Sequence, residues 1–187
     1  MSKKDFRDEV VSRLRPLLSR RGLDVHPGEP LYYRPSLNKK TGPPVLLEGP
    51  KRGVNAFETD ILVRKNSKRS RYRAPLVVVE AKGSIDGSST HDAITYSAKA
   101  KNHKVFYPYL RYGLVTKDAS ISADRTLYHG TAFDFIVALG GRPRRGQWSR
   151  LAKVVREQAG VAEKLLQLSK KGLDAGVSEF STIVKLR

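Results

Sequence analysis

Apolar residues recur at helical spacing through the opening segment "KKDFRDEVVSRLRPLLSRRGLDV", where Phe6, Val10, Leu14, Leu17 and Leu18 share one stripe. The spacing predicts a helix stopped by Gly22, with a kink or short break where Pro16 falls inside it. Residues 26–53 lose this periodicity and hold six of the ten prolines. They read as a long irregular excursion, with a short strand at "PVLLE". Alternation then takes over: "VNAFETDILVRK" predicts one strand, "KNSKRSRYRA" a basic turn and "PLVVVEAKG" the next strand. "SSTHDAITYSAKAKNH" suits a helix with Ser89 or Thr90 as N-cap. "KVFYPYLRYGLVTKD" reads as a strand region broken at Pro108, and "AFDFIVALGG" as a strand or a short helix. Helical spacing returns with Trp148, Leu151, Val155, Ala162, Leu165 and Leu166, ends at Gly172, and is followed by a short strand in "FSTIVKLR".

These elements predict one α/β domain over residues 1–187, with its core at about 5–140 and a helical C-terminal extension at 141–187. Hydrophobic residues make up 39% and charged residues 29%, a globular balance. No apolar run approaches the roughly 18–20 residues that span a bilayer, and the start "MSKKDFRDEV" has no apolar signal region. The expectation is therefore no membrane and no secretion. The chain has no cysteine, which excludes disulfides, iron–sulfur clusters and thiolate zinc sites and fits a reducing, cytoplasmic setting. His26, His91, His103 and His129 lack metal-ligand spacing.

Charge changes the picture. Lys and Arg number 36 against 18 Asp and Glu, a formal net charge of +18. A polyanion would relieve the self-repulsion, through phosphate contacts and release of counterions. Aromatic residues beside the basic ones, as in "KVFYPYLRYG", favour nucleic acid over acidic lipid as that partner.

Within this basic chain, two acids and a lysine converge. A hairpin turn centred on Ser70 sets Asp60 directly opposite Glu80, where side chains on an antiparallel pair lie about 4.5–5.5 Å apart at Cβ. Alternation then puts Glu58, Asp60 and Leu62 on one face with Val78, Glu80 and Lys82, and Glu58 opposite Lys82. Phe57, Thr59, Ile61, Val77, Val79 and Ala81 take the other face as a core surface. Facing carboxylates repel, and a hard cation such as Mg²⁺ is the natural compensation. A shift of one residue would send Asp60 to the opposite face.

Asp60, followed after a hairpin by Glu80-Ala81-Lys82, resembles the PD-(D/E)xK nuclease superfamily, the restriction-endonuclease-like fold. The proline that precedes the first acid in that family is replaced here, where the sequence reads "ETD". The resemblance runs from the first helix to about Lys117. It implies a three-layer core, with a central mixed β-sheet flanked by helices. It also implies Mg²⁺-dependent hydrolysis of phosphodiester bonds, with Mn²⁺ as a substitute metal. Asp60 and Glu80 would be metal ligands and Lys82 would stand at the attacking water. An acid from the first helix often joins them in this family. Asp5, Asp8 and Glu9 are the candidates, and Glu9 lies nearest the apolar stripe; the alternative is an ordinary solvated acid at a helix start.

Lys65, Lys68, Arg69, Arg71 and Arg73 on the hairpin turn read either as a phosphate clamp or as a solvated tip. Tyr96 and Lys99 on the following helix are candidates for substrate contact, and Arg142, Arg144 and Arg145 form a second basic cluster. DNA is the expected partner, and cutting both strands favours a homodimer with two active sites. The long Pro-rich excursion and C-terminal extension favour restriction-type cleavage of duplex DNA; the alternatives are a Holliday-junction-resolvase-like activity and a non-catalytic nucleic-acid-binding module. No Walker A loop, nucleophile elbow or HxK pair offers competing chemistry.

Overall fold

In the computed structural model, described over residues 2–34, 36–37, 44–45, 50, 52–66, 74–83, 90–117 and 131–171, helices cover both faces of a five-stranded mixed sheet. Helix α1 is Lys3–Ser19, α2 is Thr90–Phe106 and α3 is Arg145–Lys171. The sheet strands are β1 (Leu23–Pro27), β6 (Ile61–Lys65), β7 (Pro75–Lys82), β8 (Arg111–Thr116) and β9 (Phe135–Ala138), in the order β1-β6-β7-β8-β9. The β1–β6 and β6–β7 pairs are antiparallel, whereas β7–β8 and β8–β9 are parallel. Two small ribbons stand apart: β2 (Pro30–Tyr32) with β5 (Ala56–Glu58), and β3 (Ser36–Leu37) with β4 (Pro44–Val45).

The apolar stripe of α1 explains its docking. Phe6, Val10, Leu14 and Leu18 are buried against Ile61, Val63, Val77, Val79 and Ala81, together with Trp148, Leu151 and Val155 of α3. Thus α3, beyond the expected core of 5–140, joins the same cluster. Leu17 departs from the expected stripe and stays exposed, while Val11 is buried in its place. A Ser2–Asp5 capping box starts α1, and the helix continues through Pro16 without the expected break. The opposite sheet face packs Leu62, Val78 and Tyr112 against Ala100 of α2. With helices on both sides, β7 is buried over its first seven residues, which accounts for its unbroken apolar run.

From Ile61 to Val63 the β6–β7 register is the expected one, with Ile61 opposite Val79, Leu62 opposite Val78 and Val63 opposite Val77; at Arg64, which pairs with Pro75, it shifts by one residue, so the hairpin is not symmetric about Ser70. Three expectations change. Strand β1 lies partly within the stretch read as irregular; Leu23 and Val25 alternate with Asp24 and are buried, but the strand is short and follows directly on the helical pattern of α1. The segment read as one strand, "VNAFETDILVRK", bends at Thr59–Asp60 into β5 and β6. The buried Thr59 donates both its N–H (2.9 Å) and its hydroxyl (2.8 Å) to the Glu29 carbonyl, and this draws β5 away to pair with β2. Phe57 therefore does not share the core face of Ile61. It stacks on Tyr33, with ring centroids 4.0 Å apart, and meets His103 edge-on. Finally, Lys104–Phe106 belong to α2, and the strand that follows Pro108 begins at Arg111. Ser89, Gly172 and "FSTIVKLR" lie outside the described residues.

Candidate active site

The bend at Thr59–Asp60 fixes the first acid. The Asp60 carbonyl accepts from Gly28 N–H at 3.0 Å, so its backbone is tied to the β1–β2 turn. Gly28 has φ +67°, a conformation that suits glycine, and a Cβ there would come 3.0 Å from Glu58 Oε1. The Asp60 side chain reaches β7, where Oδ2 accepts from the backbone N–H of Ala81 at 3.0 Å. The ladder itself ends one pair earlier, at Ile61 and Val79. It is thus a carboxylate, not a backbone group, that extends the pairing to the level of Glu80 and Ala81.

Glu80 is fully buried on the α2 side of the sheet. Its Oε1 accepts from Lys99 Nζ and from Tyr112 Oη, both at 2.7 Å. Its Oε2 is buried and has no hydrogen-bond partner among the described residues. Burial pushes the Glu80 carboxyl up to about 7; Lys99 pulls it down and the neighbouring Asp60 charge raises it again. The same burial, with Glu80 beside it, holds the Tyr112 hydroxyl well above its ordinary value. Behind them, His103 is buried with its Nε2 3.2 Å from the Leu31 carbonyl, and desolvation and the Lys99 charge lower it to about 4.

Lys82 follows at the half-buried end of β7, on the Glu80 side by alternation. Its carbonyl accepts from Lys117 N–H at 3.2 Å. Glu58 lies past the bend and pairs with Arg52 at 2.8 Å, in place of the expected partner Lys82. The first-helix acids take separate partners. Asp5 closes the capping box, Asp8 pairs with Arg7 at 2.8 Å, and Glu9 pairs with Lys117 at 3.1 Å. Lys117 also sits 4.9 Å from the Phe6 ring centroid. Among the described residues, no three acidic or histidine side chains gather as a metal-binding group, so Glu9 is not brought together with Asp60 and Glu80.

Among the expected nucleic-acid contacts, Lys99 reaches the site, though as a partner of Glu80. Tyr96 lies one turn before it on α2 and is near enough to Tyr112 to raise its hydroxyl. Lys65 is exposed and pairs with Glu163 of α3 at 3.1 Å. Lys68, Arg69, Arg71 and Arg73 lie outside the described residues. Arg142, Arg144 and Arg145 are exposed between β9 and the start of α3, beyond the C-terminal ends of the parallel strands, the same sheet end as Lys82 and Lys117.

Two site residues were missed by sequence reasoning. Tyr112 looks like an ordinary strand aromatic; its place two positions before the buried Leu114 was the available signal. Lys117 falls at the end of the resemblance, and its partnership with Glu9 has no local signal. The chain matches no protein-family model and no curated protein.

Proposed function

We propose that this chain is a Mg²⁺-dependent DNA endonuclease of the PD-(D/E)xK type, cutting duplex DNA in the manner of a restriction enzyme. The observation that carries this reading is the close approach of Asp60 to Glu80, joined through Ala81 N–H, beside a buried Glu80 oxygen with no partner. Such an oxygen costs free energy until something satisfies it. Carboxylates beside a basic rim fit a hard cation, and Mg²⁺ needs only one or two of them when substrate phosphates and water complete its shell. Asp60 and Glu80 would hold it, and Glu9 is not required. When bound, the cation supplies Lewis acidity and positive charge at the scissile phosphate.

The other steps fall to the chain itself. Lys82 would position the attacking water and take up its proton. Lys99 and Tyr112 keep the Glu80 carboxylate in one orientation, since both donate to Oε1 and leave Oε2 open. Arg142 and Arg144, at the same sheet end, would bind phosphates flanking the cut. The mixed sheet with helices on both faces is compatible with a restriction-endonuclease-like core, with Asp60 immediately before β6 and Glu80 on β7. A homodimer would supply the second active site for double-strand cleavage.

The test is incubation with plasmid and with a synthetic four-way junction, with and without Mg²⁺ or Mn²⁺. Discrete plasmid fragments are expected, lost in Asp60→Ala and Lys82→Ala while DNA binding persists. Binding without cleavage under every metal tried would sink the proposal. Symmetric nicking of the junction alone would replace restriction with junction resolution.

A further inference from the structure

On the sheet face away from Glu80, α1 and α3 enclose a groove of about 240 Å³. Leu17 and Ala152 give it an apolar floor, and Arg20, Arg21, Lys153 and Arg156 form its rim. Leu17 is 40% exposed, on a helix that buries Phe6, Val10, Leu14 and Leu18 to 1% or less. One leucine of an otherwise covered stripe is thus left facing solvent among four cations.

Among the described residues no acid lines this groove. Several cations elsewhere are matched: Lys117 by Glu9, Lys99 by Glu80, Arg64 by Glu29, and Lys104 and Arg111 by Asp134. The four rim cations have no ion pair among the described residues. The groove also stands apart from the acid pair. Phe6 packs against Gly83 at the end of β7, and Leu17 lies about 16 Å further along the helix axis.

We propose that this groove docks an acidic protein segment that carries an apolar side chain. Carboxylates would answer the three guanidinium groups and the ammonium, while the apolar side chain covers Leu17 and Ala152. The volume exceeds the roughly 150 Å³ of an engineered cavity that accepts benzene, so a leucine-sized group fits. Nucleic-acid phosphates could meet the rim but would leave the Leu17 side chain uncovered, whereas an apolar residue of a protein segment would bury it. This inference does not depend on the nuclease reading.

The test is fluorescence anisotropy with a labelled peptide of repeated Glu-Glu-Leu, a control peptide with Ser for Leu, and labelled duplex DNA. Lys153 and Arg156 are exposed, so the double variant Lys153→Glu/Arg156→Glu should fold, with its melting curve as the check. The wild-type protein should bind the leucine peptide about tenfold or more tighter than the serine peptide. The double variant and Leu17→Ser should each lose about tenfold, with the fold intact by melting curve. No peptide binding, equal binding of the two peptides, or binding indifferent to the variants would overturn the inference. A loss of DNA affinity in the double variant that exceeds the loss of peptide affinity would reassign the groove to nucleic acid.

Discussion

Lys99 Nζ lies 2.7 Å from Glu80 Oε1, a pair in which the acid is 0% and the base only 17% exposed. The ammonium compensates one buried carboxylate oxygen, and the other has no partner among the described residues. That asymmetry links the stability of the sheet to the chemistry of the site, because any change at Lys99 alters how Glu80 bears its charge.

Replacing Lys99 with Met should destabilise the metal-free protein by roughly 1–3 kcal/mol at neutral pH. It strands a buried carboxylate, which escapes part of the cost by taking a proton. On the metal reading, Mg²⁺ should then raise the melting temperature more in Lys99→Met than in wild type, since a cation replaces the lost ammonium. Melting curves with and without Mg²⁺ measure both effects, and Asp60→Asn should abolish the metal response.

The stability of the metal-free protein should hide two opposed pH dependences. Glu80, raised to about 7, keeps its proton in the folded state while the unfolded chain releases it near its ordinary value, so this group's contribution falls as pH rises from about 4.5 to 7. His103, lowered to about 4, stays neutral when folded while the unfolded chain takes up a proton, so its contribution rises with pH between about 4 and 6.5. Each is worth on the order of 3 kcal/mol. Glu80→Gln should remove the first, so that its urea stability relative to wild type increases across pH 4.5 to 7.

Removing the Tyr112 hydroxyl tests its hold on Glu80. Tyr112→Phe deletes one of two donors to Oε1 and should cost about 1 kcal/mol by denaturant titration at pH 8. It favours the protonated carboxyl, so the Mg²⁺-induced rise in melting temperature should need a higher pH to develop than in wild type. An unchanged pH midpoint would mean that the hydroxyl does not act on the carboxylate.

Gly113 makes the parallel β8–β9 pairing possible. A Cβ at this position would fall 2.1 Å from the Phe135 ring, directly across the ladder. Gly113→Ala should destabilise by roughly 1–3 kcal/mol through overpacking. Combined with Phe135→Leu, the two losses should sum to more than the double variant shows. Strict additivity by urea denaturation would count against the close packing.

The hydrophobic pattern was enough to find α1, α3, β7 and the segment that holds β6, because each has a face or a run that must be buried whatever surrounds it. Centring the turn on Ser70 also led to the pairing of Ile61–Val63 with Val77–Val79, since alternation constrains a hairpin, while the shift at Arg64 was not legible. The E-x-K string and the net charge of +18 pointed to a basic protein with an acid pair worth examining.

Contacts between residues distant in the chain decided the rest. The bend at Thr59–Asp60 depends on the Glu29 carbonyl, thirty residues away in sequence, and no local pattern encodes that hydrogen bond. The same holds for the choice among first-helix acids, where Lys117 claims Glu9, and for Tyr112 and Lys99, which meet at Glu80 from a neighbouring strand and from a helix. Sequence alone could say which residues are able to carry charge. The fold decides which of those charges lose their water, and desolvation with its few surviving partners is what sets the chemistry of Glu80.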